Sequence, residues 1–277
     1  MLLVEKGTRY FNYLINDGYV PNFIANLLPG NYLRYDSVRK CFVEKVKQQS
    51  IYIQRPKDAV GLVNGCIGYR DLTDWLCEQV YFHYYKPKSG EVFVDIGAGY
   101  GQECMWLAST CPAVKIHNIE ASPSVYSHLC ETTSTIQNVV NTNACIADEG
   151  YMFLPFSPNY ASVNIHEHPS IRVKGISFDD FMEENNIESV DLLKMNIEGA
   201  ELGVLESIRR FDKVKRFVIS CHDFRANRGQ GEYFRTKEKV IEILKKNGYK
   251  IKGIELDSYP SDAWRLSVDD WVFAEKV

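Results

Sequence analysis

Gly97, Gly99 and Gly101 fall within five residues, directly after a strand-like run, VFVD, that ends in Asp95. A turn of this kind, opening into a helix, presents backbone N–H groups to a ligand, because glycine places no side chain in between. Glu120 stands about 20 residues beyond the turn, where a carboxylate can take the hydroxyls of a ribose. A second constellation lies nearer the C-terminus. The run VKRFVIS is followed by Cys221, His222 and Asp223, and Glu198 and Glu201 occupy an earlier strand-to-helix junction. Imidazole and carboxylate at strand ends are the groups that move protons near neutral pH.

A dinucleotide turn would read G-x-G-x-x-G, because a pyrophosphate must rest on the helix N-terminus. Here Gln102 replaces the third glycine, and Asp95 would repel phosphate, so an NAD oxidoreductase is disfavoured. A carboxylate suits a cationic ligand bearing an amine. S-adenosylmethionine has an amine and a ribose and no phosphate. The turn therefore predicts that cofactor, with methyl transfer as the chemistry.

The segments VFVDIGAGYG, NIEASP, NACIADEG and VDLLKMNIEGAELGVLES resemble the FkbM-type methyltransferases. The likeness runs over about residues 78–223 and more loosely over the last strands. It implies a seven-stranded, Rossmann-like α/β fold. It also implies an S-adenosylmethionine-dependent O-methyltransferase acting on a hydroxyl of a sugar, glycan or polyketide. Ala98, Ala121, Asn143, Ala144 and Asn196 lie within or beside these motifs and complete the expected cofactor contacts. Asn196 stands where the family usually has aspartate, which leaves fewer hard oxygen ligands for a metal. No metal is assigned, and activity is expected to survive chelation. The alternatives are O-methylation of another hydroxylated metabolite and a binding module without catalysis.

A sugar hydroxyl needs somewhere to send its proton. His222 is the expected base, since neutral imidazole is available near pH 7. Asp223 is expected to orient it or to bind substrate, and Glu198 is the second candidate. Glu201 has a ready structural role, as a carboxylate in a first helical turn. Arg225, Arg228 and Arg235, with Gly229 and Gly231 between them, read as a lid over the acceptor, Arg225 and Arg228 binding it. The aromatic-rich N-terminal segment is expected to supply the opposite wall. His166 and His168 share a face if extended, but a solvated loop is the expected reading.

The elements that must position these groups follow from apolar patterning. From residue 89, short apolar runs alternate with helical stretches, which predicts a parallel, doubly wound sheet over 89–277. The last two runs predict an antiparallel hairpin, and 150–176 an extended hairpin or loop. Ser122 and Pro123 predict a helix start. Residues 1–88 predict a helical extension without strand alternation, broken at Pro21 and Pro29. A net charge of −4 gives no general attraction to nucleic acid or anionic membrane, and no apolar run is long enough to span a bilayer. Eight cysteines without a C-x-x-C pair are expected as free, partly buried thiols in a reducing cytoplasm. A homo-oligomer is compatible with the sequence.

Overall fold

A computed structural model describes residues 15, 19, 21–27, 33–46, 49–56, 69–147, 150–155, 169–257, 259 and 262–277. His166 and His168 lie outside the described residues. The first unit corrects the expectation of helices alone. One 3-10 helix, Asn22–Leu27, precedes an antiparallel meander of β1 (Leu33–Asp36), β2 (Cys41–Val46) and β3 (Gln49–Ile53). Leu33, Phe42, Ile51 and Ile53 are buried. The hairpin between β1 and β2 is closed by Asp36, whose Oδ1 accepts the N–H groups of Val38 and Arg39 at 2.9 and 3.0 Å. Strands of only four to six residues, two of them carrying charges, hide their alternation.

The main sheet follows the expected alternation. Helix α1 (Tyr69–Leu76) runs into a π turn, Cys77–Tyr81. Next come β4 (Val92–Ile96), α2 (Gln102–Thr110), β5 (Lys115–Ile119), α3 (Pro123–Thr133) and β6 (Val139–Thr142). A small sheet of β7 (Cys145–Ile146), β8 (Gly150–Pro155) and β9 (Pro169–Ile176) intervenes, with β8 and β9 paired antiparallel as the expected hairpin. The chain then returns through α4 (Phe178–Glu184), β10 (Leu192–Met195), α5 (Glu201–Ser207), β11 (Arg216–Ser220), α6 (Asp223–Asn227) and α7 (Lys237–Lys246). It closes with β12 (Tyr249–Gly253), α8 (Asp262–Val268) and β13 (Trp271–Lys276). The seven-stranded order is β12-β13-β11-β10-β4-β5-β6. Strand β13 is antiparallel to both neighbours and sits between β11 and β12. The two last strands thus pair as expected, but a helix lies between them rather than a short link.

One face of the sheet packs on α4, α5 and α7 through Phe181, Leu205, Val240 and Leu244. The other packs on the π turn and α2 through Val80, Trp106 and Leu107. Every side chain of β10 is buried, as a strand covered on both faces requires. Cys41, Cys77, Cys104 and Cys221 are free and buried. Among the described residues no helix is long and apolar enough to cross a membrane.

One charged pair lies inside this apolar packing. Lys194 and Asp95 face each other in the β4–β10 register, and Lys194 Nζ donates to Asp95 Oδ1 at 2.8 Å. Nζ is also 3.5 Å from Glu103 Oε1 and 5.3 Å from the centre of the Tyr81 ring. Burial would lower the Lys194 ammonium, but Asp95 and Glu103 hold it above its ordinary range. Burial pushes the Asp95 carboxyl up to about 6, against the pull of Lys194. Removing either partner strands a charge in the interior. Lys194→Met and Asp95→Leu are each expected to cost about 3–5 kcal/mol in urea unfolding, and the double variant less than either. Single variants as stable as the parent protein would contradict this.

Candidate functional site

The sheet order reverses at β4: the chain leaves it for β5 on one side and reaches β10 on the other. Crevices beyond the C-terminal ends of strands at such a point hold ligands in doubly wound sheets. A cavity of about 210 Å³ lies there. Gly97, Ala98 and Gly99 form one wall, Glu120 and Ala121 a second, Ala144 and Cys145 a third, and Asn196 and Glu198 a fourth.

Gly97 has φ 81°, and a Cβ added to it would sit 2.4 Å from the Asn196 carbonyl oxygen. Only glycine fits where these two strand ends meet. The Gly99 N–H donates to Glu120 Oε2 at 3.0 Å, and the Ser122 N–H to Oε1 at 2.8 Å. Glu120 thus fastens the glycine turn to the end of β5. Burial pushes its carboxyl up to about 7, although these two N–H groups pull the other way.

Three expected cofactor contacts do other work. Asp95 is not in the wall: its Oδ1 accepts from Lys194, and its Oδ2 is buried without a partner. Gly101 turns away from the cavity; with φ 85° it starts α2, and a Cβ there would meet Leu129 Cδ1 at 2.8 Å. Asn143 Nδ2 donates to the carbonyls of Glu120 and Ala121 at 2.8 and 3.1 Å, so it shapes the second wall from behind. The same bonds bend the chain between β6 and β7, splitting what the sequence presents as one strand. Two wall residues carry buried polar atoms without a partner, Asn196 Oδ1 and Gln102 Nε2.

The proton-moving groups form a cluster behind the fourth wall. Glu198 has φ 56° and precedes Gly199 at φ 101°, a left-handed turn between β10 and α5. His222, 4% exposed, lies between two carboxylates. Its Nε2 is 3.3 Å from Glu198 Oε1 and its Nδ1 is 3.2 Å from Glu201 Oε1. Glu201 also accepts from the Gly199 N–H at 3.0 Å and the Thr236 hydroxyl at 3.2 Å. Arg225 Nη1 bonds Glu198 from the other side.

The charge state of His222 differs from the neutral base expected of the sequence. Burial alone would lower its pKa, but hydrogen bonds to Glu198 and Glu201 push it up to about 10. At neutral pH it is an imidazolium with both nitrogens engaged, so it has no lone pair to offer, and it does not line the cavity. Burial would raise Glu198, yet His222 and Arg225 hold it below the ordinary carboxylate range. Glu198 is therefore the ionised group of this cluster that reaches the cavity.

Asp223 is also reassigned. Its Oδ1 accepts the N–H groups of Thr236 and Lys237 at 2.9 and 3.0 Å, which caps α7. The lid expectation changes with it. Arg225 stacks 3.9 Å from the centre of the Phe234 ring and is tied to Glu198, while Arg228 is exposed beside Phe224. Neither lines the cavity; the segment contributes Tyr233 instead. Its only signal in the sequence is an aromatic residue just after the Gly229–Gly231 pair. No described residue before Ile96 lines the cavity, so the described part of the N-terminal unit does not form its opposite wall. Among the described residues, no three side chains of metal-ligating type converge to hold an ion.

A family model described as the methyltransferase FkbM domain matches residues 95–251. No curated protein matches the chain. Among solved structures, a putative methyltransferase in complex with the Trm112 activator of Haloferax volcanii is 15% identical, covering 79% of this chain and 94% of that one, with a TM-score of 0.47. Aeropyrum pernix fibrillarin with bound S-adenosyl-L-methionine is 15% identical, covering 86% and 89%, with a TM-score of 0.43. None of these similarities identifies a ligand or substrate for this chain.

The cluster makes stability depend on pH with a definite sign. A histidine whose folded pKa is raised stabilises fully below its unfolded value, and that contribution is lost as pH rises through the folded value. The stability gap between the parent protein and His222→Gln is thus expected to be widest near pH 6 and to close toward pH 10. Denaturant unfolding across that range measures it, and a gap that widens with pH would contradict the imidazolium.

Proposed function

We propose, for a chain that belongs to the FkbM methyltransferase family, that this cavity holds S-adenosylmethionine and that the protein methylates a hydroxyl of a sugar, glycan or related polyol. The observation that carries this reading is the makeup of the wall. Glu103, Glu120 and Glu198 are its charged residues, and no Lys, Arg or His among the described residues joins them. Such a surface repels a pyrophosphate and favours a ligand that carries positive charge without phosphate.

The wall also fits that cofactor in detail. Asn196 Oδ1 is an unpartnered acceptor for an amine, and Gln102 Nε2 an unpartnered donor for a carboxylate. Each Glu120 oxygen accepts one backbone N–H and keeps a lone pair for a ribose hydroxyl. Gly97 leaves the strand ends bare, so a ligand can approach the backbone. When bound, the cofactor would supply an electrophilic methyl group, which the acceptor oxygen would take in line as the C–S bond breaks and the neutral thioether leaves.

The chain's own residues then have three tasks. Gly97, Gly99 and Glu120 set position, which is much of the catalysis in an in-line displacement. Glu198 accepts the hydroxyl proton, and His222 and Arg225 hold its carboxylate in place. Tyr233 lines the same cavity as Glu198, and an aromatic face and a carboxylate in one cavity suit the C–H and O–H groups of a polyol.

Incubation with methyl-labelled cofactor and a panel of sugars and polyols tests this reading. Label is expected in an O-methyl product. Binding without transfer to any acceptor would instead indicate a module without catalysis. With the acceptor in hand, Glu198→Gln is expected to lower kcat by about 10²–10⁴-fold with cofactor affinity intact. Full kcat in that variant would remove Glu198 from the proton path.

A further inference from the structure

The N-terminal meander does not reach the cavity, yet it packs on the back of the turn that forms its first wall. Tyr100 lies between Gly99 and Gly101, whose φ angles are 56° and 85°. The glycines let the backbone face the cavity while the intervening side chain points the other way. Tyr100 is fully buried, in a cluster with Leu33, Phe42, Ile51 and Ile53 of the meander and Met105 of α2. The Gln54 N–H approaches its hydroxyl at 3.5 Å.

A second set of contacts reaches the turn through α3. The Tyr52 N–H donates to Thr132 Oγ1 at 3.0 Å. Arg39 bonds Glu131 at 3.2 Å and lies 5.4 Å from the centre of the Tyr52 ring. Leu129, Thr132 and Thr133 are the residues that bound Gly101. The meander therefore grips the turn directly at Tyr100 and indirectly at Gly101.

We propose that the β1–β3 meander is a clamp that holds the glycine turn in its binding conformation, with Tyr100 the positioning residue through which it sets cofactor affinity. A backbone with two left-handed residues in three has many alternatives when unrestrained. Affinity falls by the fraction of molecules that hold the competent form, so a loosened turn weakens binding without losing any contact to the ligand. The proposal rests on the reading of the cavity as a cofactor site.

Calorimetric titration of S-adenosylmethionine into the full chain tests it, with Tyr100→Leu, Tyr100→Phe and Thr132→Val beside the parent protein. Loosening is expected to make Tyr100→Leu on the order of tenfold weaker in Kd. Thr132→Val should weaken binding by a smaller factor, and Tyr100→Phe, which keeps the ring, should stay close to the parent. In turnover assays the cofactor KM should rise in the same order, with kcat at saturation unchanged. Hydrogen exchange of the 97–102 amides should quicken in Tyr100→Leu in the absence of any ligand. If Tyr100→Leu does not fold, Thr132→Val carries the decision alone. Parent-like Kd in the folded variants, with lowered Tm only, would overturn the clamp. No binding by the parent protein would overturn the cofactor reading and this proposal with it, which separates the two failures.

Discussion

The ion pair between Lys194 and Asp95 is the contact on which the rest of the arrangement depends. Two unit charges can stay in the middle of a doubly covered sheet only if they are paired. That requirement fixes β10 against β4 in one register, with Lys194 opposite Asp95. The same register brings Gly97 onto the Asn196 carbonyl two residues further along, where no side chain would fit. The cavity is what remains between the strand ends once they are held that close. Asp95 is therefore the anchor of the site and not a contact within it.

A second charge balance surrounds the proposed base. Glu198 and Glu201 would repel each other so near together, and His222 settles the matter by keeping its proton. Arg225 adds the fourth charge, and the group is neutral as a whole. Such an arrangement holds Glu198 ionised and stationary in a strained turn. On the proposed reading this is preorganisation: the carboxylate already stands where the hydroxyl proton would arrive, so no reorganisation is needed.

Much of the fold is legible from the chain alone. The apolar runs mark the strands of the main sheet, and the glycine turn with Glu120 marks the switch point. What escapes has a physical pattern. The meander strands are too short, and two of them too charged, for their alternation to stand out. The roles of Asp95, Asp223 and His222 depend on partners far along the chain: Lys194 is 99 residues from Asp95, and Glu201 is 21 from His222. The sequence shows which groups can titrate. Their protonation is set by what folding places beside them, and that is why an apparent neutral base is a buried cation. Tyr233 escapes because it comes to the cavity on a turn with no periodicity to announce it.

The central claim is that the glycine turn and its carboxylates hold a cationic, phosphate-free cofactor. Equilibrium binding of S-adenosylmethionine, S-adenosylhomocysteine and NAD to the purified chain tests it most directly. Saturable one-to-one binding of the first two, with none of NAD at the same concentrations, is the predicted result. Tight binding of NAD, or no binding of either adenosyl compound, would contradict the account.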